Sequence, residues 1–238
     1  MSRVALEYGF ARKISKAIAS FVFILAVFVG QTSIARADPV TIVAFGDSLT
    51  QGYGLKAQDG FVPQMADWLK ANSRESGAVR LINAGVSGDT TAGGAARIDW
   101  TLTEDVDGII VALGGNDLLR GIDPAVSRAN LERILQATQA RDIPVLLIGL
   151  VATRNMGPEY KQAFDQMYPD LSAAFGTLFA RDFFIGLLSE DGTVDRDAVR
   201  ARMQLDGIHP NKEGVRDIVE GLGPHVLDLL DRARSGGQ

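Results

Sequence analysis

The sequence predicts a three-layer α/β/α sandwich built on a parallel sheet, and two observations carry that expectation. Residues 41–45, 79–82, 108–113 and 145–151 are β-branched or leucine-rich runs, apolar on both faces, as strands covered on both sides are. Longer amphipathic stretches lie between them, and alternating strands and helices build a parallel sheet between helical layers. A third observation concerns the turns: the first three runs each end in a polar, glycine-containing segment. Ligands of such sheets bind beyond the carboxyl ends of the strands, so those segments are where a site is expected.

The first 37 of the 238 residues stand apart. Arg3, Arg12, Lys13 and Lys16 precede an uncharged run over residues 18–29. As a helix that run spans about 18 Å, short of the roughly 30 Å bilayer core. Ala35-Arg36-Ala37 then offers small residues at both specificity positions of a signal peptidase. A basic start, a short apolar centre and an A-x-A end describe a secretory signal peptide, so a periplasmic or secreted protein is expected. An uncleaved anchor is the plainer alternative.

Residues 38–238 are then one domain, of a length that supports a sizeable core. They keep 19 of the 24 basic and 28 of the 29 acidic residues, for a net charge of −9. That balance disfavours a nucleic-acid partner or an anionic lipid surface. The chain has no cysteine and two histidines, His209 and His225, which excludes disulfides, lipoprotein attachment and multi-histidine metal centres. No cofactor is expected, and oligomeric state is not legible.

The elements follow in order. The first strand leads into Gly46-Asp47-Ser48-Leu49-Thr50-Gln51-Gly52, with Ser48 where a helix should begin. In isolation Ser48 reads as an N-cap as readily as a nucleophile. The turn contains no G-x-G-x-x-G, no phosphate-loop lysine and no G-x-S-x-G elbow. The second strand leads into Asn83-Ala84-Gly85-Val86-Ser87-Gly88-Asp89, the third into Gly114-Gly115-Asn116-Asp117. Asp123-Pro124 supplies an N-cap and first-turn proline for a helix with Leu131, Ile134, Leu135 and Thr138 on one face. After the fourth strand, a fifth is expected near residues 183–185. Val215, Ile218, Val219 and Leu222 mark one helical segment. Val226, Leu229, Leu230 and Ala233 mark another after Gly223-Pro224, and residues 235–238 read as a frayed tail.

A serine nucleophile needs a base. Asp206-Gly207-Ile208-His209-Pro210-Asn211 places a carboxylate three residues before His209, able to hold one imidazole tautomer and leave the other nitrogen free. A helix-entry turn with an incidental histidine is the plainer reading. His225 belongs to an amphipathic helix and is expected to pack or to face solvent. Backbone N–H groups of Gly85 and Ser48 and the Asn116 amide could stabilise an oxyanion; alone, each is equally a turn residue. Their joint occurrence, each after its own strand, favours the functional reading.

Gly46-Asp47-Ser48-Leu49, Gly85 within its turn, Gly-Gly-Asn116-Asp and Asp206-x-x-His209-Pro together resemble the four blocks of the SGNH (GDSL) hydrolases. The resemblance runs from about residue 40 to 227. It is nearest the bacterial periplasmic thioesterase, arylesterase and lysophospholipase branch, through Arg120-Gly121 and Asn211. It implies a flavodoxin-like fold with a five-stranded parallel sheet and a triad of Ser48, Asp206 and His209. It also implies an oxyanion hole of Ser48, Gly85 and Asn116, and an esterase working through an acyl-enzyme on small ester or lipid-like substrates. The loop after Asn116 is mobile in that branch, so Leu118 and Leu119 are expected to line an acyl groove with Met156. Relatives often carry uncharged residues where this chain has Arg154, which is expected to face solvent unless it tunes head-group preference. A carbohydrate O-acetyl esterase is the alternative within the family, with Trp68 and Trp100 as sugar-stacking candidates outside the motif turns. A non-catalytic anion-binding module, with a metallophosphoesterase variant using Asp47, Asn116 and His209, is the alternative of another class.

Overall fold

A computed structural model describes residues 39–73, 79–188 and 195–236. The expected signal segment, residues 1–37, lies outside the described residues. Five parallel strands, β1 (Val40–Gly46), β2 (Val79–Gly85), β3 (Gly108–Ala112), β4 (Val145–Ile148) and β5 (Leu178–Ala180), form one sheet in the order β2-β1-β3-β4-β5. The order reverses direction between β1 and β3, where Gly46 stands opposite Gly85 on one side and Ala112 on the other. The first three motif turns therefore leave the sheet side by side.

Among the described residues eight helices surround it: α1 (Ser48–Gln51), α2 (Phe61–Asn72), α3 (Thr91–Thr101), α4 (Gly115–Leu119), α5 (Pro124–Gln139), α6 (Pro158–Phe175), α7 (Arg196–Ala201) and α8 (Lys212–Gly236). Helices α2 and α8 pack on each other and α8 also packs on β1, β3, β4 and β5; α3, α5 and α6 form a second packed series. The three layers match the expectation. Ile42, Ile109, Ile110, Leu113, Leu131, Leu146, Leu147 and Leu229 sit in the core with at most 1% exposure. Every residue of β3 and β4 is buried, as a fully covered strand requires. β2 is only half-buried because it is an edge strand with one neighbour.

Three local expectations need correction. The fifth strand is Leu178–Ala180, paired with β4; residues 183–185 do not join the sheet. Their apolarity serves packing instead: Phe183 is buried against the Phe61 ring at 5.2 Å, and the turn Ile185–Leu187 packs under α8. The two segments flanking Gly223-Pro224 form one helix, α8, with Pro224 inside it. The stripes of the two segments are offset by eleven residues, close to three helical turns, so both fall on one buried face. Gly223 lets α8 lie directly on α2, because a Cβ there would sit about 2.5 Å from the Trp68 ring. The tail expected to fray from residue 235 is helical at its start: Ser235 and Gly236 continue α8, with Ser235 Oγ donating to the Asp231 carbonyl at 2.5 Å, and residues 237–238 lie outside the described residues. The Asp123 cap forms as expected, its carboxylate accepting from Ala125 N–H at 2.9 Å ahead of Pro124.

Candidate active site

β1 delivers Ser48 through a turn with no spare room. A Cβ on Gly46 would overlap the Thr50 hydroxyl and lie 2.7 Å from the Ala112 carbonyl. Asp47 caps α1 by accepting from Leu49 N–H at 3.0 Å, and Gly52 ends the helix at φ +88°. Ser48 is the first residue of α1, so the cap belongs to Asp47 and the serine hydroxyl is left for another partner. That partner is His209: Ser48 Oγ stands 2.9 Å from its Nε2.

His209 sits in the turn before α8. Its Nδ1–H donates to Asp206 Oδ2 at 2.7 Å, which leaves Nε2 as acceptor for the serine hydroxyl. The other Asp206 oxygen accepts from the N–H groups of Ile208 and His209 at 2.9 and 3.0 Å. The bond from His209, joined by these two N–H groups, holds the Asp206 carboxyl down at about 2. Gly207 turns the chain at φ +68°. Gln204 fastens the turn: its side-chain amide donates to the carbonyls of Tyr53 and Pro210 at 2.8 and 3.0 Å, its N–H donates to the His209 carbonyl at 2.7 Å, and its carbonyl accepts from Gly207 N–H at 3.0 Å. Asn211 then accepts from Gly214 N–H at the start of α8. The Tyr53 ring lies 4.7 Å from the imidazole, centroid to centroid, tilted by 40°.

The expected oxyanion donors lie on the adjoining ends of β1, β2 and β3. Gly114 at φ +121° swings the chain from β3 into α4, whose second residue is Asn116. The Asn116 amide donates to the Asp89 carbonyl at 2.9 Å and more weakly to Asp47 Oδ2 at 3.4 Å. Gly85 ends β2 against α1, where a Cβ would overlap the Gln51 nitrogen and lie 2.9 Å from the Asp47 carbonyl. Its N–H donates to Asn83 Oδ1 at 3.0 Å. Gly88, on the same turn at φ +80°, accepts from Arg120 through its carbonyl at 2.8 Å. Among the described residues its N–H has no acceptor.

Two carboxylates here were not assigned this role from sequence. Asp47 is buried, and burial pushes its carboxyl up to about 6, against the pull of Leu49 N–H, the His209 charge and the Asn116 amide. Asp117, fully buried beside Asn116, accepts from Thr91 N–H at 2.8 Å, Thr91 Oγ1 at 2.5 Å and Ser127 Oγ at 2.9 Å. It thereby pins α4 to α3 and α5. The sequence held one signal for both, their position beside Ser48 and Asn116.

Of the residues expected to line a groove, Leu119 is 63% exposed, Leu118 packs partly on the core and Met156 is half-buried. A Cβ on Gly121 would meet the Met156 methyl at 3.9 Å, so the loop after Asn116 and the loop after β4 face each other. Arg154 is exposed. Tyr53 and Ile208 are exposed apolar residues beside His209. His225 is half-buried on α8. Trp68 is engaged by Gly223 and by Glu220, to which its Nε1–H donates at 2.8 Å, and Trp100 is exposed on α3. Among the described residues no cluster of three or more His, Cys, Asp or Glu could hold a metal ion, and no helix is long and apolar enough to cross a membrane.

The chain is similar to known proteins. Esterase TesA of Pseudomonas aeruginosa is 35% identical over 80% of this chain and 89% of its own length. Thioesterase 1/protease 1/lysophospholipase L1 of Escherichia coli is 32% identical over 80% and 85%. The crystal structure of AlinE4, described as an SGNH-hydrolase family esterase, superposes with a TM-score of 0.63 at 37% identity, covering 82% of this chain and 98% of that one. The GDSL-like Lipase/Acylhydrolase family matches residues 44–216, across every motif turn from Ser48 to His209. With its sheet order, its turns and its relatives in agreement, the chain belongs to the GDSL-like lipase/acylhydrolase family of SGNH hydrolases.

Proposed function

We propose that this protein is a serine esterase that cleaves carboxylic esters through an acyl-enzyme on Ser48. The observation that carries the reading is the relay from Ser48 Oγ to His209 Nε2 at 2.9 Å and from His209 Nδ1 to Asp206 at 2.7 Å. As Ser48 Oγ attacks the ester carbonyl, His209 takes its proton, and Asp206, ionised at any pH above about 2, stabilises the imidazolium. His209 then protonates the leaving alkoxide, phenol or thiol. Water, activated by the same nitrogen, releases the acid.

The tetrahedral oxyanion is held by the Ser48 N–H, the Asn116 amide and a donor from the turn after β2. Gly85 fills that third place once its N–H exchanges Asn83 Oδ1 for the oxyanion; Gly88 N–H is a further donor on that turn. The Asn116 amide, aimed at the Asp89 carbonyl, is held near the oxyanion position by groups already in place, which is how such donors act at little reorganisation cost. Removing it lowers kcat by about 10² to 10³. Leu118, Leu119 and Met156 line the acyl-chain side. We also propose that the enzyme is exported, on the strength of the basic, apolar and A-x-A segments of residues 1–37.

The test is hydrolysis of nitrophenyl esters from acetyl to palmitoyl by residues 38–238, beside Ser48→Ala. The expected result is turnover that the substitution abolishes, blocked by a serine-directed phosphonate and indifferent to chelator. Equal turnover in Ser48→Ala would remove the nucleophile. Loss of activity with chelator would point to a metalloenzyme, and silence on every ester to a binding module. A profile confined to acetyl esters would favour the O-acetyl esterase. A profile unmoved by Leu118→Ser would remove the groove.

A further inference from the structure

Arg97, on α3, is the one described side chain that ties together all three arms of the proposed oxyanion hole. Its Nη2 donates to the Gly46 carbonyl, two residues before Ser48, at 2.9 Å. Its Nη1 donates to the Ala84 carbonyl, one residue before Gly85, at 2.9 Å. Its Nε donates to the Asp89 carboxylate at 2.7 Å, and the carbonyl of that same Asp89 accepts the Asn116 amide. The guanidinium also lies 3.9 Å above the Phe45 ring. The pair is well shielded, Arg97 being 23% and Asp89 12% exposed in their side chains. α3 sits close enough for this reach because Gly94, one turn earlier, packs directly on Leu113. A guanidinium holds its N–H donors in fixed directions on three nitrogens and so meets acceptors on three different segments, whereas an ammonium gathers its three donors on one nitrogen.

We infer that Arg97 is a positioning residue for the oxyanion hole, fixing the ends of β1 and β2 and the Asp89 turn relative to one another. It touches no reacting atom. Its effect on rate passes through Ser48 N–H, the β2 turn and Asn116, so the inference rests on the esterase reading above. An oxyanion donor displaced by a fraction of an ångström loses much of its value in the transition state while ground-state binding changes little.

The experiment is a double-mutant cycle on nitrophenyl ester hydrolysis with Arg97→Lys, Asn116→Ala and both. Arg97→Lys is expected to lower kcat by about 10-fold or more with KM within about twofold, and to cost several-fold less in the Asn116→Ala background, since residues acting through one another are not additive. Should Arg97→Lys fail to fold, Asp89→Asn in the same cycle loosens the Asn116 arm alone and is expected to couple in the same way. Fully additive losses, or a raised KM with kcat unchanged, would overturn the inference and leave the esterase standing. An Asn116→Ala enzyme with unchanged turnover would overturn the oxyanion hole itself.

Discussion

Asp47 shows most clearly how one residue differs between its motif and its setting. In sequence it is the neighbour of a serine; in the fold it is 2% exposed, capping α1 with one oxygen and facing Asn116 with the other. Burial raises its folded-state pKa from 3.8 to about 6. A carboxyl shifted upward favours folding when protonated, so its contribution is full below pH 4 and is lost as pH rises to about 6. At 1.36 kcal/mol per pKa unit, the loss is about 3 kcal/mol. Thermal melts between pH 4 and 7 are expected to show Asp47→Asn gaining stability relative to the parent as pH rises; parallel curves would contradict the buried charge. Asp206 has the opposite sign. Its depressed pKa stabilises the fold above about 4, and that stability disappears as pH falls toward 2. The Asp206–His209 pair was legible because it lies within one turn. Arg97 was not, because its acceptor at Gly46 is 51 residues away.

Among the elements, periodicity was most informative where an element buries a whole face. β3, β4 and the stripe of α5 read correctly because burial selects the apolar residues that form the pattern. The fifth strand was misplaced for the same reason: Phe183 is as buried as any strand residue, but against the Phe61 ring, and composition cannot distinguish a sheet partner from another packing neighbour. The continuity of α8 was encoded in the eleven-residue offset of its two stripes, and Pro224 obscured it. Proline in a helix interior costs about 3 kcal/mol through its missing N–H and its clash with the preceding turn. Pro224 is exposed, so no packing is lost when it is replaced. Pro224→Ala is expected to stabilise the domain by about 1–3 kcal/mol in denaturant unfolding. A neutral or destabilising result would show that the helix axis, and with it the Gly223–Trp68 contact, depends on the proline.

At the scale of the whole molecule, the sheet order assembles a site from distant segments. Ser48 and His209 are 161 residues apart in the chain and share a hydrogen bond because the turn before α8 returns to the carboxyl end of β1, an interior strand. The proposed export concerns the whole chain as well. Expressed with its first 37 residues in a Gram-negative host, the protein is expected in the periplasmic fraction with a mature mass that begins at Asp38; an intact Met1 in the cytosol would refute it. The sequence by itself determined the α/β class, the family resemblance, and the side chains available for acyl transfer. Strand periodicity, turn chemistry and the spacing of Asp206 and His209 all operate within a few residues. Only the tertiary structure decided which turns adjoin, that Gly85 N–H is engaged by Asn83, that Asp47 loses its solvent, and that Arg97 reaches three segments. Desolvation and long-range hydrogen bonds have no value until the chain closes, so no local pattern in the sequence could express them.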